Sequence, residues 1–463
     1  MVGTMLGNVG LIAGLALLII LALRGINIVV AVLISILVIG LSNGMGMAEV
    51  FLEYFPFGSS GAFSFAGNFF LLFLCGAIFG RLMAASQAAG SIALAFIDWL
   101  GARRALWVAM LVCALLTYGG VVVFVVIFTM YPLGVTLMRE ANIPRRIYAA
   151  AIALGAGTFT MTALPGTPSI HNVIAARALG TDLFAGGWIG IFAALVMAIG
   201  GMWYLQRQWQ VSLANNEGYQ ATEQDENMQK LAAQSGAVPP WGRALIPIVV
   251  VLGIIVTPRI LMLSGIGADA EGWLAQLIAF NLAQPVLWAS FALIAGSASC
   301  LLLFAGLRSG FNKAVSQGAD DAVLPLINTA AVIGFGGVVI QTAGFHQFAE
   351  WLLSINMPAL LSVFVSANLI SGVTASASGG LQIFMSSLAP AYLEVGISAE
   401  VLHRISNLAA GGLDSLPHSG AVIALLTLMG LTHKEAYKDI FVVSVVIPLI
   451  AGLAAITLLA VWP

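Results

Sequence analysis

The chain has 463 residues, of which 60% are apolar and only 8% charged, with a mean hydropathy of +1.04. Soluble domains carry about 25% charged residues, so this composition excludes a soluble globular enzyme and predicts an all-α polytopic membrane protein. The net charge of −2 gives no basis for a nucleic-acid partner.

Residues 8–23 form the first apolar run. It has the length of a signal peptide, but Arg24-Gly-Ile-Asn27 leads straight into a second run with no small-residue cleavage site, so a retained helix is expected. Runs long enough for a bilayer crossing follow at 26–42, 66–82, 146–178, 186–206, 243–263, 284–306, 325–343, 399–430 and 438–461, about ten spans in all. Two regions, 105–136 and 358–393, are longer than one span and too short for two. Each carries a glycine pair near its middle, Gly119-Gly120 and Gly379-Gly380, and each is predicted to be a re-entrant helical hairpin that turns at those glycines. Segments 86–100 and 308–322 mix polar and apolar faces and are expected at the membrane interface. Polarity concentrates in 208–242, with Glu217, Glu223, Asp225, Glu226 and Lys230 ahead of Pro239-Pro240, which divides the chain into 1–207, a polar linker and 243–463. Cys75, Cys113 and Cys300 lie inside apolar runs and are expected to be small core residues, outside any disulfide or metal site. Trp99, Trp107, Trp188, Trp203, Trp273 and Trp288 fall near span ends, as in an aromatic belt.

With both termini outside and the linker cytoplasmic, every Lys and Arg except Arg177, Arg259 and Arg404 falls on the linker side, in keeping with the positive-inside rule. In that orientation His403, Arg404 and His433 flank spans at the interface, and Asp320 and Asp321 are solvated. The two parts also repeat one another: Asn68 recurs as Asn328, Gly119-Gly120 as Gly379-Gly380, Pro132 as Pro390, and Leu164-Pro165 as Leu416-Pro417. Five crossings in each part predict an inverted-topology repeat, an architecture of secondary transporters with the binding site at mid-membrane.

The two long helices at 146–178 and 399–430 are interrupted by Thr162-Ala-Leu-Pro-Gly-Thr-Pro-Ser-Ile-His-Asn172 and by Asp414-Ser-Leu-Pro-His-Ser-Gly420. Backbone groups freed by such breaks cost several kcal/mol each in lipid, so the breaks must line protein or a wet cavity. Helix starts at depth attract anions. The candidate substrate-binding residues are therefore Thr117, Tyr118, Gly119 and Gly120; Gly166, Thr167, Ser169, His171 and Asn172; Ser378, Gly379 and Gly380; and Ser415, His418 and Ser419. Asp414 is the acidic residue placed most clearly at depth. It is either a proton carrier coupled to His418 or a structural partner of the backbone. His171 and His418 are either proton-relay and substrate-contact groups or buried neutral histidines that donate to carbonyls. Arg177 is expected to snorkel or gate near the outer surface. No residue set points to catalysis or to a bound metal.

The ordered motifs Thr117-Tyr-Gly-Gly, Leu164-Pro-Gly-Thr-Pro-Ser-Ile-His, Ser378-Gly-Gly and Asp414-Ser-Leu-Pro-His-Ser-Gly resemble the gluconate permease (GntP) family of the ion transporter superfamily. The resemblance implies proton-coupled import of sugar acids, D-serine or short hydroxy acids. It also implies a homodimer in the bacterial inner membrane, and a transport domain that moves like an elevator against a scaffold. Gluconate-selective members carry a more polar first break and an acidic residue at the first hairpin tip. The less polar forms here, with Asp-Ser-Leu-Pro-His at the second break, resemble the 3-hydroxybutyrate branch. The expected activity is proton symport of a small hydroxy monocarboxylate, with sodium coupling or a sugar-acid substrate as alternatives and no cofactor.

Overall fold

A computed structural model describes residues 2–58, 61–101, 104–121, 123–222, 225, 238–264, 272–354, 357–374, 376–417 and 419–461. Before the linker the helices are α1 (Val2–Leu23), α2 (Ile28–Ser42), α3 (Ala62–Ala85), α4 (Ala88–Leu100), α5 (Ala105–Tyr118), α6 (Val123–Ala141), α7 (Arg145–Gly157), α8 (Ile170–Leu179) and α9 (Gly187–Ala214). After it come α10 (Trp241–Leu263), α11 (Trp273–Ala283), α12 (Pro285–Leu303), α13 (Phe311–Val339), α14 (Ala343–Ser354) and α15 (Ala359–Thr374). The chain then continues with α16 (Ala377–Ser387), α17 (Ala399–Ala410), α18 (Gly420–Met429), α19 (His433–Phe441) and α20 (Ile447–Val461). No strand occurs among the described residues.

Among the described residues, six helical stretches are long and apolar enough to cross a membrane: α3, α9, α10, α12, Ala305–Val339 and His433–Val461. Shorter apolar helices accompany them, and the chain is a multi-pass membrane protein. Large apolar side chains such as Ile12, Leu37, Leu195, Ile199 and Val249 are exposed, as lipid-facing residues must be. Cys75, Cys113 and Cys300 are buried and free. Trp99, Trp188, Trp203 and Trp273 lie on the surface, whereas Trp107 and Trp288 turn partly inward.

Packing is paired across the linker. α1 lies on α2 and α10 on α12; α3 lies on α12 and α2 on α13; α3 and α13 meet each other. The hairpin arm α5 packs on α7, and the arm α15 on α17; α6 lies beside α18 and α16 beside α8; α9 and α20 meet. Glycines permit these close approaches. A Cβ at Gly155 would stand 2.4 Å from the Met110 carbonyl oxygen, and one at Gly10 would overlap the Ser42 side chain.

Two expectations about helix placement need correction. The segment 308–322 is not a separate interfacial helix. A 3-10 turn at Ala305–Gly310 leads into α13, which runs unbroken past the expected start of a span at 325. The charge that suggested an interface is partly neutralised, because Asp321 on α13 is paired with Arg81 on α3. The amphipathic helix that follows the Asn328 span is α14. The second hairpin does not turn at its glycine pair: α15 ends at Thr374, and Ser376 caps α16 by accepting from Gly379 N at 3.1 Å. Gly379 and Gly380 lie inside the first turn of α16, where the missing side chain at Gly380 lets the helix close on Ser371. In the first hairpin the glycines do make the turn, and Gly120 adopts φ +92.

The linker is also less free than its polarity implies. Asp225 is fully buried, paired with Arg145 and accepting from Tyr131 Oη and Tyr219 Oη at 2.7 Å each. Glu217 accepts from Arg146 at 2.7 and 2.8 Å. At the linker's far end Ser91 Oγ on α4 donates to the Pro239 carbonyl at 2.6 Å. The contacts of Glu217 and Asp225 strap their part of the linker onto the ends of α6 and α7.

Gly380→Ala should lower stability by about 1–3 kcal/mol through overpacking, since its Cβ would lie 2.4 Å from Ser371 Cα. An unchanged melting temperature in detergent would contradict the close contact. Hydrogen bonds from Arg146 hold the Glu217 carboxyl below its ordinary value. Burial pushes Asp225 up, but hydrogen bonds from Arg145, Tyr131 and Tyr219 outweigh it and leave its carboxyl low as well. Depressed carboxylates stabilise docking above their unfolded values of about 4 and lose that effect as pH falls through the lower folded values. A spin label at Gln220→Cys should therefore stay immobile from neutral pH down to about 4 and become mobile only below it.

Candidate functional site

The first long helix ends twice. α7 stops at Gly157, a short turn Phe159–Thr162 follows, and the chain is irregular until α8 begins at Ile170. Pro165 and Pro168 bring no N–H to continue a helix. Gly166 takes φ +77 with the Phe184 ring over the place a Cβ would fill. Ser169 then caps α8 by accepting from Asn172 N at 3.3 Å. The second long helix stops at Ala410 and resumes at Gly420. Ser419 sits at the cap position of α18 without a capping side-chain bond, so this helix start is uncapped. At about 1.5 Å per residue, α7 and α17 each cover about 20 Å, roughly two-thirds of a membrane-spanning length, so both breaks fall well inside the molecule.

The breaks touch: a Cβ at Gly411 would lie 2.7 Å from Thr162 Cγ2. The first hairpin joins them. Tyr118 Oη donates to the Pro165 carbonyl at 2.9 Å, and a Cβ at Gly120 would meet Pro168 Cγ at 3.2 Å. The second hairpin arrives from the other side, with α16 against α8 and α17, and Asn368 on α15 next to Gly412.

Side chains within this convergence divide into two groups. Some are committed to structure. Thr117 Oγ1 donates to Cys113 O at 2.8 Å and to Thr160 Oγ1 at 3.0 Å, and Ser169 Oγ donates to Met161 O at 2.8 Å. Asn172 is fully engaged, as described below. Others are open. Thr167 Oγ1 and His171 Nδ1 are buried with no hydrogen-bond partner, and so are Asn368 Oδ1, Ser371 Oγ and Asn407 Oδ1. Ser378 Oγ lies 3.3 Å from Ser376 Oγ. Asp414 is half-buried and accepts from Ser415 Oγ at 3.0 Å. Tyr437 Oη and His433 Nε2 from α19 donate to the Ser415 and Pro417 carbonyls at 3.0 and 2.7 Å, so partly exposed His433 also serves the second break. His418 lies outside the described residues.

The largest departure from the sequence reading is in α17. His403 and Arg404, expected at the interface, are both completely buried. Every N–H of the Arg404 guanidinium has an acceptor. Nε and Nη2 donate to Ala185 O at 3.0 and 2.8 Å, Nη2 also reaches Leu183 O at 3.4 Å, and Nη1 donates to Ala163 O and Asn172 Oδ1 at 3.0 Å each. All of these acceptors are neutral. Hydrogen bonds from a charged donor are worth about 1.5–3 kcal/mol each, which offsets the several kcal/mol of desolvating an ion. Asn172 Nδ2 donates to the carbonyls of Leu164 and Thr167 at 3.1 and 3.2 Å, which fixes Oδ1 as the acceptor of Arg404 and of Asn407 Nδ2, the latter at 2.9 Å. His403 Nε2 must then donate to Oδ1, while Nδ1 accepts from Thr181 Oγ1 at 2.8 Å, giving a neutral ring. Of the carbonyls freed by the first break, those of Ala163, Leu164 and Thr167 are thus consumed by Arg404 and Asn172, and those of Met161 and Pro165 by Ser169 and Tyr118. Of the amides that begin α8, Asn172 N is taken by the Ser169 side chain and Val173 N by the Ser169 carbonyl; those of Ile170 and His171 have no intrahelical acceptor. One signal was present in the sequence: His403, Arg404 and Asn407 occupy one face of a short helix that ends at a break.

The sequence profile of the GntP family permeases matches residues 6–462. Among similar proteins, the uncharacterized transporter YxjC of Bacillus subtilis strain 168 is 34% identical over 401 residues, covering 82% of this chain and 83% of that protein. An uncharacterized permease of Haemophilus influenzae is 23% identical over 393 residues, covering 82% of this chain and 76% of its own length. The chain belongs to the GntP permease family and is a membrane transporter, not an enzyme.

Proposed function

We infer that the protein imports a small hydroxy monocarboxylate, 3-hydroxybutyrate or a close analogue, by proton symport across the inner membrane. The observation that carries this reading is the sorting of backbone dipoles at the first break. A buried cation and an asparagine take up the carbonyls of Ala163, Leu164 and Thr167, while α8 begins at the first break with the Ile170 and His171 amides beyond the reach of its own helical bonds. Such a place favours one negative charge. The free hydroxyl of Thr167, the nearby Ser378 and the imidazole of His171 suit a single substrate hydroxyl. The surrounding residues, Val332, Leu293 and Pro168 among them, suit an alkyl end better than a polyol.

In this reading residues 1–207 and 243–463 are inverted repeats, a relation supported by the matched packing of α5 on α7 with α15 on α17 and of α1 on α2 with α10 on α12. The hairpins and broken helices form a transport domain, the first two spans of each repeat a scaffold and dimer contact, and both termini lie outside. Asp414, half-buried at the second break beside Ser415, is the proton carrier, with His418 its coupling partner. Sodium coupling has one observation in its favour, the unpaired oxygens of Asn368 and Asn407, since sodium prefers oxygen ligands.

In proteoliposomes, an imposed proton gradient should drive uptake of 3-hydroxybutyrate above equilibrium, and a sodium gradient should not. The reverse result selects the sodium reading, and preference for gluconate selects the sugar-acid one. Asp414→Asn should abolish concentrative uptake while leaving substrate exchange; full concentrative uptake by this variant removes Asp414 from the mechanism. Arg404→Gln keeps part of the hydrogen bonding and loses the charge. It should raise KM about tenfold or more, equivalent to about 1.4 kcal/mol, with a smaller effect on maximal rate. A variant that is folded and has the parental KM would show that the cation does not tune anion binding.

A further inference from the structure

The two half-helices that leave the breaks are in different surroundings, although their sequence positions match. α8 is covered. Residues 171–176 are buried, and the helix packs against α12 as well as α16 and α17. Two polar contacts fasten its far end to helices outside the group of hairpins and broken helices. Arg177 Nη2 donates to Asn68 Oδ1 on α3 at 3.0 Å, with its guanidinium 5.8 Å above the Phe69 ring. Just beyond α8, Asp182 pairs with Arg259 on α10 at 3.0 Å while its other oxygen accepts from Phe184 N at 2.8 Å.

α18 runs the other way, toward the linker. Its end is held there by Arg145 Nη1, which donates to the Met429 carbonyl at 2.9 Å. It packs on α6 and α7, and Gly420, Ala421 and Thr427 are exposed, with Ala424 partly so. Gly420, Ala424 and Thr427 follow helical spacing and share one stripe. This stripe is short and partly hydroxylic. The exposed faces of α1, α2 and α9 instead carry Ile12, Leu33, Leu37, Leu195 and Ile199, as lipid contact requires. Gly420, the first residue of the uncapped α18, belongs to the same stripe.

We propose that this conformation has the site sealed along α8 and open along α18 toward the linker end. In this proposal Arg177–Asn68 and Asp182–Arg259 form the latch that must release before the site opens at the opposite end. The inference rests on the transporter reading above and adds to it a direction of opening and the groups that control it. Because the latch joins α8 and its following loop to α3 and α10, it ties the moving group to helices outside the hairpins and broken helices. Loss of the latch should shift the population away from the linker-open state.

The test uses the full-length protein in sealed vesicles of both orientations and a membrane-impermeant maleimide; the native cysteines are buried, so the parent chain supplies the background. Thr427→Cys should react from the side on which Gln220→Cys reacts, and not from the other. Adding Arg177→Gln and Arg259→Gln should slow that reaction roughly fivefold or more, the lower end of an allosteric coupling. Asn68→Asp turns the hydrogen bond to Arg177 into an ion pair. It should leave Thr427→Cys at least as reactive as before while slowing uptake. The proposal is overturned if Thr427→Cys is inert from both sides, or if removing both contacts leaves its rate unchanged. Should the double variant fail to fold, normal uptake by Asn68→Asp overturns it. Labelling needs neither substrate nor coupling ion, so a wrong substrate or ion alters none of these labelling outcomes.

Discussion

A guanidinium buried among neutral oxygens holds this molecule together at its centre. Arg404 reaches from α17 to both sides of the first break, to Ala163 before it and to Leu183 and Ala185 beyond α8, and it shares Asn172 Oδ1 with His403 and Asn407. Its neighbour Asp182 does not neutralise it by contact, because those carboxylate oxygens are taken by Arg259 and the Phe184 amide. The interaction therefore does two things at once. It closes the hydrogen-bond accounts of an interrupted helix where water is scarce, and it leaves a positive field near the amides that begin α8. Gly190 and Gly186 make room for it: a Cβ at either would stand within 3 Å of Arg404 atoms.

Around this centre the architecture follows from short helices that need partners. A half-helix of ten to thirteen residues is marginal alone, and α7, α8, α17 and α18 each lie against a hairpin arm. The hairpin arms in turn are buried by the broken helices. Small residues set the separation at Gly155 and Gly380, where another stretch of backbone approaches too closely for a side chain, and at Gly411, which abuts the Thr162 side chain. That is the packing logic of helices in lipid, where close contact replaces the hydrophobic effect as the driving force.

How much of this was legible in the sequence depends on whether a residue's role is local. The breaks were readable because proline and glycine interrupt a helix by their own chemistry, as Pro165, Gly166 and Pro168 do. The first hairpin turn was readable for the same reason at Gly120. Gly379-Gly380 looks identical in sequence, yet its role is tertiary: the pair lets α16 close on α15, and the turn falls earlier, at residues the serine cap at Ser376 defines. Arg404, His403 and Asp225 were misplaced because polarity marks either water or a partner, and only the fold tells which. Their partners are mostly backbone carbonyls, asparagine and tyrosine, which leave no charge signature in the chain. The polar segment 308–322 misled similarly, since α13 carries most of it on the end of a helix that simply continues inward.

The linker is joined to the body at both ends by contacts as well as by peptide bonds. Asp225 is sunk between Arg145, Tyr131 and Tyr219, and the Pro239 carbonyl is held by Ser91. Covalent continuity between the two parts is thus largely redundant for keeping them in register. A chain cut between these anchors would retain its shape, and the two pieces made separately carry the complementary surfaces, α3 with α13 and α9 with α20, needed to find each other in the bilayer.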